Sequence, residues 1–347
     1  MRASEILPRP LQAPRVRQLL AAATQARVLV LGDVMLDHFL WGKVERISPE
    51  APVPVVEFQR ESFVPGGAGN VARNLAELNA YTELFGAVGA DAPARHLKRI
   101  LKRARVGCAG LLTCPKRVTS IKTRIIAHRQ QVVRVDRESR VYVDEETTMR
   151  LLAALDSRLQ PGDALILGDY AKGVVTQHLV DEARNLCRRR GVWLSVDPKP
   201  AHQLNLSRVS LLTPNRKEAF ELAGISDSSH GAPPFKDSSL MRVAEKLLTE
   251  LQPVLLLITL GDQGMLLCQR GQRPIPIATA AREVFDVSGA GDTVIAAFTL
   301  AIVAGASPYE AAILSNHAAG IVVGKIGTAT VRPDELLESF RHERILK

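Results

Sequence analysis

The chain has 347 residues, 46% of them apolar and 23% charged, with 45 Lys or Arg against 36 Asp or Glu. That length and balance suit one large globular domain or two smaller ones, and exclude a disordered chain or a disulfide-stapled mini-scaffold. No apolar run approaches the roughly 20 residues of a membrane helix, and the Arg- and Pro-rich N-terminus lacks the apolar segment of a secretory signal, so the expected location is the cytoplasm.

Residues 1–24 read as a mobile N-terminal arm, 25–335 as one α/β domain and 336–347 as a tail. Within the domain, Arg27 to Leu31 is a short apolar run halted by Gly32-Asp33, the first expected strand. Val53, Val55 and Phe58 punctuate Pro52 to Phe58 in the manner of an edge strand. A helix carrying Leu75 and Leu78 follows the glycine-rich stretch Gly66 to Asn70. From Arg117 to Val135 the pattern alternates, with Ile121, Thr123 and Ile125 on one face and Lys122 and Arg124 on the other. A turn over Ala127 to Gln130, centred near Arg129, returns the chain through Val133 and Val135 and sets Arg124 opposite Arg134. These pieces, near 38–64 and 115–137, read either as a small β lid or as a surface hairpin with solvated arginines.

Four further apolar runs follow: Ala164 to Leu167 halted by Gly168-Asp169, Val192 to Val196 by Asp197-Pro198, Val209 to Leu212 by Thr213-Pro214-Asn215, and Val254 to Leu260 by Gly261-Asp262. Strands alternating with amphipathic helices predict a doubly wound, mostly parallel sheet with helices on both faces. Ligands of such sheets bind outside the carboxyl ends of the strands. Recurrent Gly, Asp and Asn at those ends predict a shared acidic crevice, although each alone also serves as a cap or turn former.

Charge is unevenly spread. Arg95 to Arg140 holds fourteen Lys or Arg against Asp136 and Glu138 alone, a local excess of twelve positive charges. Such a patch attracts anions. No Phe, Tyr or Trp lies among those cations, whereas a single-strand binder stacks bases on aromatic rings, so a small phosphorylated ligand is expected rather than nucleic acid. Cys108, Cys114, Cys187 and Cys268 form no CxxC pair, which leaves no zinc or disulfide framework.

The strongest chemical signal is Asp286-Val287-Ser288-Gly289-Ala290-Gly291-Asp292-Thr293, followed by the apolar start of a helix. Small residues before a helix let its first amides converge on one point, where the helix dipole adds positive potential. Gly289, Ala290 and Gly291 are thus a candidate anion hole. Asp292 beside it is either a helix cap or a base that takes the proton of a hydroxyl attacking a phosphoryl group. No GxxxxGK[ST] loop occurs, and Gly67-Ala68-Gly69-Asn70-Val71-Ala72 sits wrongly for a dinucleotide fingerprint. Gly66 and Gly67 instead suit close backbone approach to a ligand, with Asn70 facing the same ligand.

These motifs resemble those of the ribokinase/PfkB carbohydrate kinases. The octet ending in Thr293 resembles their C-terminal signature, Gly66 to Ala72 their N-terminal one, and Asn215-x-x-Glu218 lies between them as in that family, over roughly Ala26 to Thr330. The resemblance implies an ATP-dependent sugar kinase with a ribokinase-like α/β core and a β lid. Asp292 would be the base, and Asn215 and Glu218 would help hold Mg²⁺ and the ATP phosphates, Glu218 through water. Thr259, Gly261, Asp262, Gly264 and Asn316 would border the nucleotide. A monovalent cation is also compatible, and pairing of lid strands would make a homodimer.

A narrower resemblance is to the D-glycero-D-manno-heptose 7-phosphate kinases of lipopolysaccharide core synthesis. It rests on Gly32 to Asp37, Trp41 to Pro54, Asp169-Tyr170-Ala171-Lys172-Gly173 and Asp197-Pro198-Lys199. It implies that Asp33, Asp37, Gly66, Gly67, Asn70 and Asp169 meet the sugar, and that Arg124, Arg134 and Lys172 meet its phosphate. No HxGH motif is present, so an adenylylation step would belong to another protein. Gly168, Pro200 and Arg216-Lys217 depart from the expected pattern. A kinase of a neutral sugar, a non-catalytic sugar or nucleotide sensor, and a nucleic-acid binder are the alternative readings.

Overall fold

The computed structural model describes residues 11–128, 130–229 and 232–342. The N-terminal part runs α1 (Ala13–Ala23), β1 (Arg27–Gly32), β2 (Val34–Ile47), β3 (Pro54–Gly67), α2 (Ala68–Glu77), β4 (Tyr81–Val88), α3 (Ala92–Arg103) and β5 (Leu111–Thr113). Then come β6 (Ser120–Ala127), β7 (Gln130–Arg137), α4 (Glu145–Asp156), β8 (Ala164–Gly168), α5 (Gln177–Arg190), β9 (Trp193–Asp197), β10 (Leu211–Leu212), α6 (Arg216–Ala223) and α7 (Ser238–Glu250). The remainder is β11 (Leu255–Thr259), β12 (Met265–Gln269), β13 (Ile275–Ile277), α8 (Ala290–Val303), α9 (Pro308–Val323) and α10 (Pro333–His342).

Nine strands form the main sheet in the order β13-β12-β11-β10-β9-β8-β1-β4-β5. It is parallel from β11 to β5 and antiparallel only at the β11–β12–β13 edge. Strand side chains alternate between two buried cores, as expected when both faces are covered. Val28 and Val30 of β1 pack into the core with α1, α2, α8 and α9, while Leu29 and Leu31 pack into the one with α4, α5, α6 and α7. The strand ends read from the sequence therefore share one edge: Asp33 N–H donates to Gly168 O, and Asn215 bridges to Thr259.

The alternating segments form a separate four-stranded sheet, β3-β2-β6-β7, which settles the choice in favour of a β lid. Arg124 does pair with Arg134 across β6 and β7; Arg129, the expected turn centre, lies outside the described residues. On β2 and β6 the register sets Asp37 beside Lys122 and Phe39 beside Arg124, so these four side chains share one face.

Both termini of the domain differ from expectation. Residues 11–24 are not an arm: Val16, Leu19 and Ala23, one helical stripe, bury α1 against α8 and α10, and Arg15 pairs with Glu310 at 2.8 Å. The interspersed Arg and Pro hide that stripe in the sequence. Likewise the tail does not begin at 336, because Leu336 and Phe340 of α10 are buried. Residues 1–10 and 343–347 lie outside the described residues. Among the described residues no helix is long and apolar enough to cross a membrane.

Candidate active site

The site is assembled where α8 begins. Gly289 precedes the helix at φ 81°, and a Cβ there would lie 2.8 Å from Asn70 Nδ2. Glycine thus lets the starts of α2 and α8 abut. Asp292 is three residues further on, so it is not the cap. Its buried carboxylate accepts from Asn70 Nδ2 at 2.7 Å on Oδ2 and from the Tyr170 hydroxyl at 2.5 Å on Oδ1. Burial pushes the carboxyl up to about 6; the two hydrogen bonds oppose that shift and the charge of Asp37 adds to it. A carboxylate poised there is ionised at neutral pH yet basic enough to take a hydroxyl proton.

Asn70 is fully buried, and with Nδ2 committed to Asp292 its Oδ1 has no hydrogen-bond partner. An orphaned buried acceptor is costly. Its position beside Asp292 suits a ligand group that donates a hydrogen bond, such as a hydroxyl. Asp37 joins from β2, its Oδ1 2.5 Å from Arg124 Nη1. A Cβ at Gly66 would strike Asp37 Oδ2 at 2.4 Å, so that glycine makes room for the carboxylate. Gly67 turns the chain into α2 at φ 58°.

Asp33 requires a correction. It is fully buried, and its carboxylate accepts from the amides of Tyr170, Lys172 and Val174 at 2.8–2.9 Å. It therefore anchors the turn after β8 rather than meeting a sugar. Asp169 is also turned inward, 2.9 Å from His202 Nδ1, and burial raises its pKa. Lys172 is buried 2.7 Å from Glu138. Arg134 stays about half exposed and pairs with Asp136 at 3.0 Å. Lys122, passed over as a site residue, belongs here: it is half-buried, and burial lowers its pKa while Asp136 opposes and Lys172 reinforces the shift. The alternation that put it on the face of Arg124 was the available signal.

On the other side of the α8 N-terminus lies a cleft of about 480 Å³. Thr259, Gly261, Asp262, Gly264 and Asn316 line it together with Ala290 and Gly291, beside apolar Val284, Val287 and Val323. A Cβ on Gly291 would meet nothing within 4 Å, so the start of α8 opens on the cleft there, while the Ala290 N–H donates to Val287 O at 3.2 Å. The shape suits a flat apolar base at one end and phosphates at the other. Asn316 is fixed by a 2.6 Å bond to Ala278 O.

Asn215 and Glu218 form a reciprocal capping box at the start of α6, and Lys199 holds Glu218 at 3.0 Å. Structure alone thus accounts for part of that motif. The Glu218 carboxylate still bears on chemistry, because half-buried Asp197 is raised well above the usual range by burial, then by the charges of Glu218 and Asp292. Among the described residues no three such side chains are arranged to hold a metal directly. A hydrated divalent cation held through water and phosphate oxygens would relieve that repulsion.

The departures from pattern have local causes. A Cβ at Gly168 would press on the Tyr170 ring at 3.0 Å, Pro200 opens the short turn that delivers His202 to Asp169, and Arg216 clamps Asp227 and Asp237 away from the cleft.

Comparison with known proteins agrees with this geometry. The model of the pfkB family of carbohydrate kinases matches residues 25–335. The chain belongs to that family. This pfkB kinase is 41% identical over 334 residues to the bifunctional protein HldE of Geobacter sulfurreducens, covering 96% of this chain and 67% of that protein. To the HldE of Desulfatibacillum aliphaticivorans it is 42% identical over 323 residues, covering 93% and 64%. It thus spans about two thirds of these relatives. Phosphofructokinase-2 from Escherichia coli, in complex with substrates and products, shares the fold at a TM-score of 0.77 and 20% identity, covering 91% of this chain and 99% of that one. Arabidopsis thaliana ribokinase complexed with ribose and ATP does so at 0.70 and 19%, with the same coverage. The pfkB kinase is an ATP-dependent carbohydrate kinase with a ribokinase-like fold.

Proposed function

We propose that this kinase transfers the γ-phosphoryl group of ATP to the anomeric hydroxyl of D-glycero-D-manno-heptose 7-phosphate, giving the 1,7-bisphosphate for the ADP-heptose branch of lipopolysaccharide core synthesis. The observation that carries the substrate class is the cluster of Lys122, Arg124 and Lys172: Lys122 shares a face with Arg124 and feels the charge of Lys172, and Arg124 pairs with Asp37, whose charge reaches Asp292. A sugar that already bears a phosphate needs cations there, and a guanidinium matches phosphate oxygens well. The HldE relatives and the sequence resemblance support the same substrate.

In this reading ATP lies in the cleft with its γ-phosphate at Ala290 and Gly291. The anomeric hydroxyl donates to Asp292 while Asn70 Oδ1 and Asp37 hold neighbouring hydroxyls. As the anomeric oxygen bonds to the γ-phosphorus and the bridging P–O bond breaks, the hydroxyl proton passes to Asp292. The α8 amides stabilise the charge on the transferring group. Glu218 and Asp197 would hold Mg²⁺ through water, where it would neutralise phosphate charge. Exposed Phe58, Val133 and Val135 on the lid support its use as a homodimer contact.

One observation favours a neutral sugar instead: Arg124 and Lys172 already face Asp37 and Glu138. Coupled ADP release with MgATP decides between them, using the heptose 7-phosphate, the unphosphorylated heptose, ribose, fructose and fructose 6-phosphate. Turnover confined to the heptose phosphate, with Arg124→Ala raising its KM at least tenfold, is expected. Preference for a neutral sugar, unaffected by that substitution, would overturn the substrate assignment.

A further inference from the structure

We propose that Tyr170 is a positioning residue for phosphoryl transfer, its hydroxyl donating to Asp292 Oδ1 so that the carboxylate stays ionised and aimed at the acceptor hydroxyl. The inference rests on the reading of Asp292 as the base.

Three features of the structure assign this role. First, the turn carrying Tyr170 is fixed from below. Buried Asp33 gathers the amides of Tyr170, Lys172 and Val174, and Ala171 N–H donates to Asp169 Oδ1 at 2.9 Å. Ala171 and Gly173 both take left-handed backbone angles, φ 57° and 85°, which shape the turn. Second, the ring sits in a slot walled by two glycines from separate segments. A Cβ on Gly168 would lie 3.0 Å from the ring, and one on Gly67 3.2 Å from it. The ring is thus seated between the end of β8 and the start of α2, with little freedom to swing away.

Third, the groups around Asp292 are otherwise hostile to its charge. Asp37 of β2 faces it, Asp197 at the end of β9 interacts with it, and Asp33 at the end of β1 faces Tyr170. Arg124 on that side is engaged by Asp37. Among the described residues, Asn70 and Tyr170 are the side chains that donate to the carboxylate. Burial and the surrounding carboxylates hold the phenol well above its ordinary pKa, so it stays protonated as a donor at neutral pH. Each carboxylate oxygen has two lone pairs, so one stays open to the incoming hydroxyl while the donors fix the plane of the group.

The test is Tyr170→Phe, which keeps the ring and removes only the donor. Full-length protein labelled with ¹³C at aspartate carboxyls is titrated by NMR, with Asp292→Asn identifying the resonance. A hydrogen bond to an ionised group, worth roughly 1.5–3 kcal/mol, corresponds to an upward shift of about one pH unit or more in the Asp292 midpoint. The acidic limb of kcat/KM moves by the same amount. A ring that merely packs would leave both unchanged, and that result overturns the proposal. As a second measurement, wild-type protein grown with 3-fluorotyrosine, a stronger donor, shifts the midpoint downward, and the same label in Tyr170→Phe does not. The titration needs no sugar. A shifted midpoint without turnover on the sugar panel would refute the substrate assignment alone, and turnover with an unshifted midpoint would refute the role of Tyr170 alone.

Discussion

Replacing Asp292 by Asn should make the protein more stable while disabling it. The folded chain holds this carboxyl at about 6 against an ordinary value of 3.8, chiefly because burial disfavours its charge. A group raised by about two units costs about 3 kcal/mol at any pH where it must be ionised in both states. That cost is complete above pH 6, shrinks as pH falls from 6 towards 3.8, and vanishes below 3.8, where folded and unfolded chains are both protonated. Asparagine is nearly isosteric: its oxygen accepts from Asn70 and its amide donates to the Tyr170 oxygen, whose hydroxyl rotates away. Relief of Asp197, which feels the charge of Asp292, acts in the same direction. For a chain of this size the gain amounts to about 4–6 °C in Tm at pH 8, narrowing to nothing by about pH 4. Scanning calorimetry of both proteins across that range reads the effect, and coupled ADP release reads the accompanying loss of roughly 10²–10⁴ in kcat. A pH-independent Tm difference, a less stable variant at pH 8, or turnover within tenfold of wild type would refute the reasoning.

Other outcomes follow from the same geometry. kcat/KM of the wild type should fall roughly tenfold per pH unit below about 6 as Asp292 takes up its proton, and a pH–rate profile flat to pH 5 would exclude it as the base. Gly291→Leu projects into open space at the phosphate end of the cleft, so KM for ATP should rise more than tenfold while Tm holds or increases, since leucine is the better helix former. Glu218→Gln keeps the capping geometry but removes a charge; the Mg²⁺ concentration for half-maximal rate should rise several-fold, measured at fixed free ATP. Leu19→Ala in the docked first helix should cost about 2–5 kcal/mol in urea unfolding, whereas a mobile arm would give no change.

Period and punctuation made most of the α/β scaffold legible. Apolar runs halted by Gly, Asp or Asn became parallel strands ending on one edge, because a strand buried on both faces must be apolar throughout and its ligand-facing end must not be. The lid was legible from alternation, and Asp292 stood out through the small residues that precede its helix. The first helix was misread because Arg and Pro interrupt its buried stripe and the last because its stripe is only Leu336 and Phe340, and only the neighbouring helices show what those stripes pack against. Asn215 and Glu218 carry two meanings at once, a helix cap and a crevice carboxylate, which sequence spacing does not separate.

Sequence alone thus determined the fold class, singled out Asp292 and the small residues before it, and showed an unusual density of cations. What the tertiary structure decided was access. Asp33, Asp169 and Arg134 look equivalent to Asp37, Asn70 and Arg124 as residue types, yet the first two are turned into the protein and the third into solvent. Tyr170 and Lys122 drew no notice as site residues until the fold brought them to the base and to the lid face. Whether a polar group serves a ligand depends on which partners reach it first, and those partners come from segments as distant in sequence as Tyr170 and Asp292.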